Sequence, residues 1–206
     1  MASTMRVERT RRNFADESNR YDAKRERLVQ CARELAEQGN AAKVSITDVT
    51  SVMGITRGLF YYYFGGKEEL SKTVSMTYVT DLLDQVRQAT EQVETREDAV
   101  RAIVECVHAW LYDEQGERRP MWHVLDEMNT EDLVQANAAD GLGAIVLDRG
   151  LLTDYNKVGD EALAERARFV AMGILGECRL NGNASVELIS DAACSALRYR
   201  KRRNLA

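Results

Sequence analysis

An all-α fold is what three features of this 206-residue sequence predict together: a single proline, an aromatic content of 7%, and apolar residues recurring at helical spacing. So few turn-forming and β-favouring residues leave little with which to punctuate a sandwich or barrel. At about 150 residues per domain the length predicts one to two domains, with a core that needs no disulfide or metal. Cys31, Cys106, Cys178 and Cys194 stand singly, without a CxxC pair. They are expected to be reduced core residues, and no metal and no cofactor are expected. The longest stretch free of Asp, Glu, Lys and Arg is 58–66, nine residues, far short of a membrane span. The N-terminus MASTMRVERTRR has no apolar h-region, so neither a signal peptide nor a membrane partner is expected, and the expected compartment is the cytoplasm.

The elements follow from caps and stripes. Residues 1–20 carry Arg6, Arg9, Arg11 and Arg12 without an apolar period and are expected to form a flexible basic arm. Leu28, Cys31, Ala32, Leu35 and Ala36 share one face of a first helix, with Gly39 as its stop. Ser45, with Asp48 three residues on, caps a short second helix that ends at Gly54. Thr56 caps a short third, with Phe60 and Phe64 turned inward and Gly65-Gly66 breaking it. A long fourth helix is expected over 67–92, with Val79, Leu82, Val86, Ala89 and Val93 as its stripe. Thr95 caps a fifth with the stripe Val100, Ile103, Val104, Val107 and Leu111, ending near Gly116; His108 shares a face with Arg101, Glu105 and Tyr112 and is expected at the surface. Pro120 opens a sixth, Thr130 caps a seventh that Gly141 and Gly143 are expected to kink, and 151–159 reads as irregular.

Two helices close the chain, over 160–181 and 184–200. The first has two apolar faces, one of Leu163, Ala167, Val170, Ile174 and Cys178, the other of Ala162, Phe169, Met172, Gly173, Gly176 and Leu180. A helix apolar on two sides needs two partners: one lies within the chain, and the second is either another subunit or the rest of a larger single-chain core. Val186, Ile189, Ala193 and Leu197 give the last helix a stripe, while Ala192, Ser195 and Ala196 keep its adjacent surface small.

Charge divides the chain in the same way. Residues 1–70 hold 12 Lys/Arg against 10 Asp/Glu, residues 71–197 hold 11 against 23, and the tail from Arg198 to Arg203 is basic. An acidic body repels phosphate, so nucleic-acid binding has to rest on a local site at the N-terminal end.

A short helix, a glycine turn and a second short helix form a helix-turn-helix, whose second helix enters the major groove. Its sequence here is TRGLFYYYFGGKEEL, residues 56–70. Arg57 can bond a guanine bidentately, Gly58 permits close backbone approach, and the tyrosine hydroxyls can reach phosphates or base edges. One or two tyrosines are expected merely to pack, Tyr61 first among them.

From Arg27 to Leu70 this pattern resembles the DNA-binding signature of the TetR family of bacterial transcriptional regulators. The shared features are the first helix ending at Gly39, the SITDV opening, the Gly54-Ile55-Thr56 turn, the G-x-[LF]-Y-x-Y-F core and the K-E-x-L start of the long helix. Departures are an extra residue between Gly39 and the second helix, Thr50 and Met53 where Ala is common, Leu59 where Thr is frequent, and Gly66 in place of a capping Ser. The apolar Leu59 suits thymine methyl groups, so no operator sequence carries over.

The resemblance implies that Arg57, Leu59, Tyr61 and Tyr62 face bases or nearby backbone, and that Ser45, Thr47, Thr56, Tyr63 and Lys67 face phosphates of double-stranded DNA. It further implies an N-terminal three-helix domain over 21–66, and a C-terminal helical ligand-binding and dimerisation domain over 67–206. The expected protein is a homodimeric repressor on a near-palindromic operator, released by a small-molecule effector. Pocket candidates are Tyr78, Cys106, Trp110, Met121, Trp122, His123 and Met128; the dimer face would use Phe169, Met172, Gly173, Gly176, Leu180, Ala192 and Ala196. The alternatives are an activator or ligand-independent regulator of the same fold, or a small helical enzyme or carrier using the surroundings of Trp122 and His123. The helix-turn-helix favours a regulator that is not an enzyme.

Overall fold

The computed structural model describes the backbone of residues 2–38, 44–152, 159–180, 182 and 185–197, with side chains from Asn19 onward. Nine α-helices and no β-strand lie among the described residues: α1 Ala2–Gln38, α2 Ile46–Met53, α3 Arg57–Tyr63, α4 Lys67–Glu91, α5 Arg96–Leu111, α6 Met121–Glu127, α7 Glu131–Asp148, α8 Asp160–Leu180 and α9 Val186–Leu197. The chain divides into two compact units, Met1–Val74 and Ser75–Ala206, so the division falls inside α4 rather than at its start.

The first unit corrects one expectation. Helix α1 begins at Ala2, so the segment expected to be an irregular arm is helical. Ala2–Gln38 contains neither glycine nor proline and is rich in Arg, Glu and Ala, so propensity sustains the helix although its apolar stripe does not extend over the first twenty residues. The Gly39 stop lies outside the described residues. Helices α2 and α3 keep their predicted caps. Ser45 Oγ accepts from the Asp48 N–H at 3.2 Å while Asp48 Oδ2 accepts from the Ser45 N–H at 2.8 Å, a reciprocal capping box. Gly54 then takes φ +62, a left-handed conformation that side-chain-bearing residues rarely adopt, and turns the chain toward α3. Leu28, Ala32, Ala36, Val49, Phe60, Phe64 and Leu70 form the core of this unit.

In the second unit the predicted stripes of α4 and α5 are buried at Val79, Leu82, Val86, Val100, Ile103, Val104, Val107 and Leu111. Helix α7 runs uninterrupted through Gly141 and Gly143. A Cβ on Gly143 would lie 3.0 Å from the backbone nitrogen of Arg168, so this glycine serves the close approach of α7 to α8. Thr130 also differs from expectation: its hydroxyl pairs with Ser75 Oγ at 2.7 Å and Leu125 O at 3.3 Å, and does not cap α7.

Two residues of α5 and its C-terminal end correct the surface assignment. Tyr112 is buried and donates its hydroxyl to Arg179 O at 3.0 Å; half-buried His108 donates Nε2 to Gly182 O at 3.0 Å. Both rings have apolar bodies and polar tips, which lets a face that reads as polar bind the end of α8. No described helix is long and apolar enough to cross a membrane, and no group of three or more His, Cys, Asp or Glu among the described residues could hold a metal.

Candidate nucleic-acid interface

Helix α3 has only seven residues, too few to persist alone, and is held by its caps and its core side. Thr56 Oγ1 accepts from the Leu59 N–H at 3.2 Å, and the Phe64 N–H donates to Phe60 O at 3.0 Å. Phe60 and Phe64 are buried as predicted, with ring centroids 5.7 Å apart. Opposite this anchored side, Tyr61 is 55% and Tyr62 66% exposed, and Arg57 and Gly58 are also exposed. Water gains two large aromatic faces here, at a cost in apolar exposure that folding alone does not explain.

Arg57 is not a free side chain. Its Nη2 donates to Thr47 Oγ1 of α2 at 2.5 Å, which restricts the guanidinium before any partner arrives. A Cβ at Gly58 would find nothing nearer than Thr56 Oγ1 at 3.9 Å. The fold therefore tolerates a side chain there, and its absence opens the surface beside Arg57.

The other predicted contacts fall into three groups. Exposed Thr47 and Lys67 and half-buried Leu59 lie within reach of a partner. Ser45 and Thr56 are engaged in capping, and the Asp48 carboxyl is held below its usual range first by the Ser45 hydroxyl and then by the Ser45 N–H. Tyr63 is only 7% exposed, and burial, followed by its neighbours Tyr62 and Tyr21, pushes its phenol up. Tyr63 is thus the packed tyrosine, and the expectation that Tyr61 packs first is corrected.

The reason is Tyr21, which the sequence reading missed. Its ring lies on Tyr63 at 4.8 Å between centroids and edge-on to Tyr62 at 5.4 Å. Arg25, one turn on, stands over the Phe64 ring at 4.6 Å and bonds Glu69 Oε1 and Thr73 Oγ1, each at 3.4 Å. A signal was available: residues 21, 25, 28 and 32 continue the stripe through Leu28 and Ala32 backward by two turns, with amphipathic side chains in place of aliphatic ones.

In the second unit the pocket candidates only partly assemble. Trp110 Nε1 donates to Tyr78 O at 3.1 Å, Trp110 and Trp122 meet edge-on at 4.9 Å, and the Arg118 guanidinium stands 5.3 Å from the Trp122 ring. Met121 is buried, Cys106 and Met128 are half-buried, and Trp122 Nε1 is buried without a hydrogen-bond partner. His123 stands apart, its largely exposed imidazole 3.3 Å from Glu127 Oε1, which corrects its place among the pocket residues.

The two predicted faces of α8 separate in part: Ala162, Leu163 and Gly176 are half-buried, and Ala171 and Leu175, on neither predicted face, are buried. Ala167, Val170, Ile174 and Cys178 are buried, whereas Phe169 is 76% and Leu180 84% exposed, and Met172 and Gly173 are exposed beside them. On α9, Ile189, Ala193 and Leu197 are buried, and Ala192 and Ala196 are exposed. An open groove of about 640 Å³ lies along this face, lined by Ala162, Glu165, Arg166, Phe169, Val170 and Ala196.

Residues 28–74 match the family model of bacterial regulatory proteins, tetR family. The uncharacterized HTH-type transcriptional regulator YvdT of Bacillus subtilis (strain 168) is 33% identical over 64 residues, 31% of this chain and 33% of that protein, so the match spans about a third of this curated relative. Among solved structures, RolR in complex with the ligand resorcinol is similar with a TM-score of 0.58 at 18% identity, over 88% of this chain and 90% of that one. The TetR family repressor AlkX from Dietzia sp. strain DQ12-45-1b also has a TM-score of 0.58, at 15% identity over 84% and 95%. At these identities the two structures establish a shared fold.

Proposed function

Since residues 28–74 make the chain a member of the tetR family of bacterial regulatory proteins, we propose that it is a homodimeric, sequence-specific DNA-binding transcriptional repressor of the cytoplasm, released by a small molecule. One observation carries the reading: a capped, core-anchored short helix presents Arg57, Gly58, Tyr61 and Tyr62 outward, with Arg57 already restrained by Thr47. Arg57, at the N-terminal end of α3, suits the base edges of the major groove, since recognition helices read with their N-terminal residues. Leu59 supplies an apolar surface, and Thr47 and Lys67 serve the backbone on either side.

The exposed face of α8, with Phe169, Met172, Gly173, Gly176 and Leu180, and Ala192 and Ala196 of α9, is the surface for a second copy. A twofold axis makes such a surface self-complementary, and it presents two copies of α3 to half-sites about 34–36 Å apart on a near-palindromic operator. The effector site is the cluster of Tyr78, Trp110, Met121 and Trp122, with Cys106 and Met128 at its margin. The unengaged indole N–H of Trp122 is a donor for an acceptor group on an otherwise apolar molecule. Release follows from linkage: a ligand that favours a protein state with poor DNA affinity is bound less tightly by the DNA complex, by the same factor.

The test is a gel shift on operators selected from random DNA with the full-length protein. Arg57→Ala with Tyr62→Ala keeps the thermal unfolding transition and loses specific retention, because a bidentate base contact supplies about 1–3 kcal/mol of discrimination. Retention equal to that of the unmodified chain would sink the proposal.

A further inference from the structure

We propose that Tyr21 of α1 is a DNA-backbone contact, its phenol acting beside that of Tyr62 to donate a hydrogen bond to one phosphate next to the bases read by α3. The inference rests on the DNA-binding reading above and extends the interface from the helix-turn-helix onto the first helix.

Three observations carry it. Tyr21, Tyr62 and Tyr63 converge from two helices, with centroid separations of 4.8, 5.2 and 5.4 Å. Such tyrosine contacts need only rings, and phenylalanine would supply them without a hydroxyl to hydrate. Yet, among the described residues, no hydrogen bond engages the hydroxyl of Tyr21, Tyr62 or Tyr63, and none is trapped as a buried unpaired group. Three donors with no internal task therefore stand at one edge of α3, beside the 66%-exposed ring of Tyr62.

Position selects the phosphate over the base. Tyr62 lies five residues beyond Arg57 on α3, roughly 7–8 Å along the axis at 1.5 Å per residue. In a major groove about 12 Å wide, that offset carries a side chain from the base edges to the groove wall, where phosphate oxygens accept. Tyr21 packs on Tyr62 and Tyr63, so it belongs to the Tyr62 end of α3, whereas Arg57 at the other end bonds Thr47 of α2. A neutral phenol gains there what a lysine would not: it is held by ring packing, so little rotamer freedom is lost on binding.

The experiment compares full-length Tyr21→Phe, Tyr62→Phe and the unmodified chain on the selected operator, by fluorescence anisotropy across a salt series and by phosphate-ethylation interference. Tyr21→Phe keeps the rings packed, so the melting temperature stays the same. The expected loss in affinity is about 10- to 100-fold, the ratio one hydrogen bond to a charged acceptor supplies. The slope of log Kd against log salt is unchanged because no cation is removed. One ethylation-sensitive phosphate disappears, the same one for both variants. Affinity within twofold of the unmodified chain and an unaltered interference pattern would overturn the proposal and leave Tyr21 as packing alone. Failure of the unmodified chain to select any DNA would instead defeat the DNA-binding reading, a result that needs no variant.

Discussion

Truncating Phe169 to alanine separates the stability of the protomer from that of the dimer. Phe169 is 76% exposed on α8, so it contributes little to the fold of one chain. An aromatic side chain has about 150–250 Å² to bury, so roughly 150 Å² of it remains available to a second copy. At about 25 cal/mol per Å², and allowing for the methyl that alanine keeps, the truncation removes about 2 kcal/mol per protomer. An isologous interface contains the residue twice, so the loss is about 4 kcal/mol per dimer, roughly a thousandfold in the dimer dissociation constant.

Sedimentation velocity over a dilution series from nanomolar to high micromolar reads that constant directly. Phe169→Ala shifts the monomer–dimer midpoint upward by about three decades in concentration, while chemical unfolding of the dilute monomer changes by less than about 0.5 kcal/mol, as for an exposed site. Ile174→Ala, on the buried face of the same helix and outside the groove, supplies the opposite pattern: a destabilised protomer with little direct effect on association. A dissociation constant for Phe169→Ala within threefold of that of the unmodified chain would refute the assignment of this face.

Two further outcomes follow from charge and burial. Residues 1–20 hold five arginines against three acids; deleting them weakens operator binding and flattens its salt dependence by about 0.9 in slope for each phosphate no longer neutralised, and an unchanged slope would place the segment off the DNA. Burial, with a smaller contribution from Glu177, pushes the Cys178 thiol up from 9.0 to about 11. The unfolded chain therefore ionises first as pH rises, so this residue's contribution is constant below about pH 9 and is lost between 9 and 11. Urea unfolding across that window should fall less steeply with pH in Cys178→Ala than in the unmodified chain, and parallel slopes would contradict the burial argument.

What was legible in the sequence was local chemistry. Ser45 with Asp48, Gly54 and Thr56 set the limits of α2 and α3 through hydrogen bonds and a backbone angle that involve residues at most a few positions away. The two faces of α8 were legible in part because a helix displays its neighbours at fixed angular steps: Ala167, Val170, Ile174 and Cys178 are buried as predicted, while Ala171 and Leu175, on neither predicted face, are buried as well. The failures lie where distant residues decide. Which tyrosine of the three is buried depends on Tyr21, in another helix, and neither spacing nor composition near α3 carries that information. His108 and Tyr112 read as polar but are drawn onto the end of α8 by carbonyl acceptors at Arg179 and Gly182. The start of α1 was missed for a different reason. Its first twenty residues carry no apolar period, the pattern by which a helix is read from sequence, although their composition favours the helix throughout.

The same division decides which residues can report on the interface. A helix as short as α3 gains its order from tertiary packing, so Phe60 and Phe64 hold the reading surface in place as surely as Arg57 forms it. Loss of DNA binding on truncating either phenylalanine would therefore say nothing about direct recognition, because the surface itself would be lost. Ser45 and Thr56 are compromised in the same way, since each hydroxyl is already committed to a helix cap whose removal costs about 1 kcal/mol. The side chains whose alteration leaves the fold intact are those exposed on α3, or bonded only through a group the core does not use. Arg57, Tyr62 and the hydroxyl of Tyr21 meet that condition, and a change in affinity at any of them, with unfolding unaltered, is attributable to the DNA.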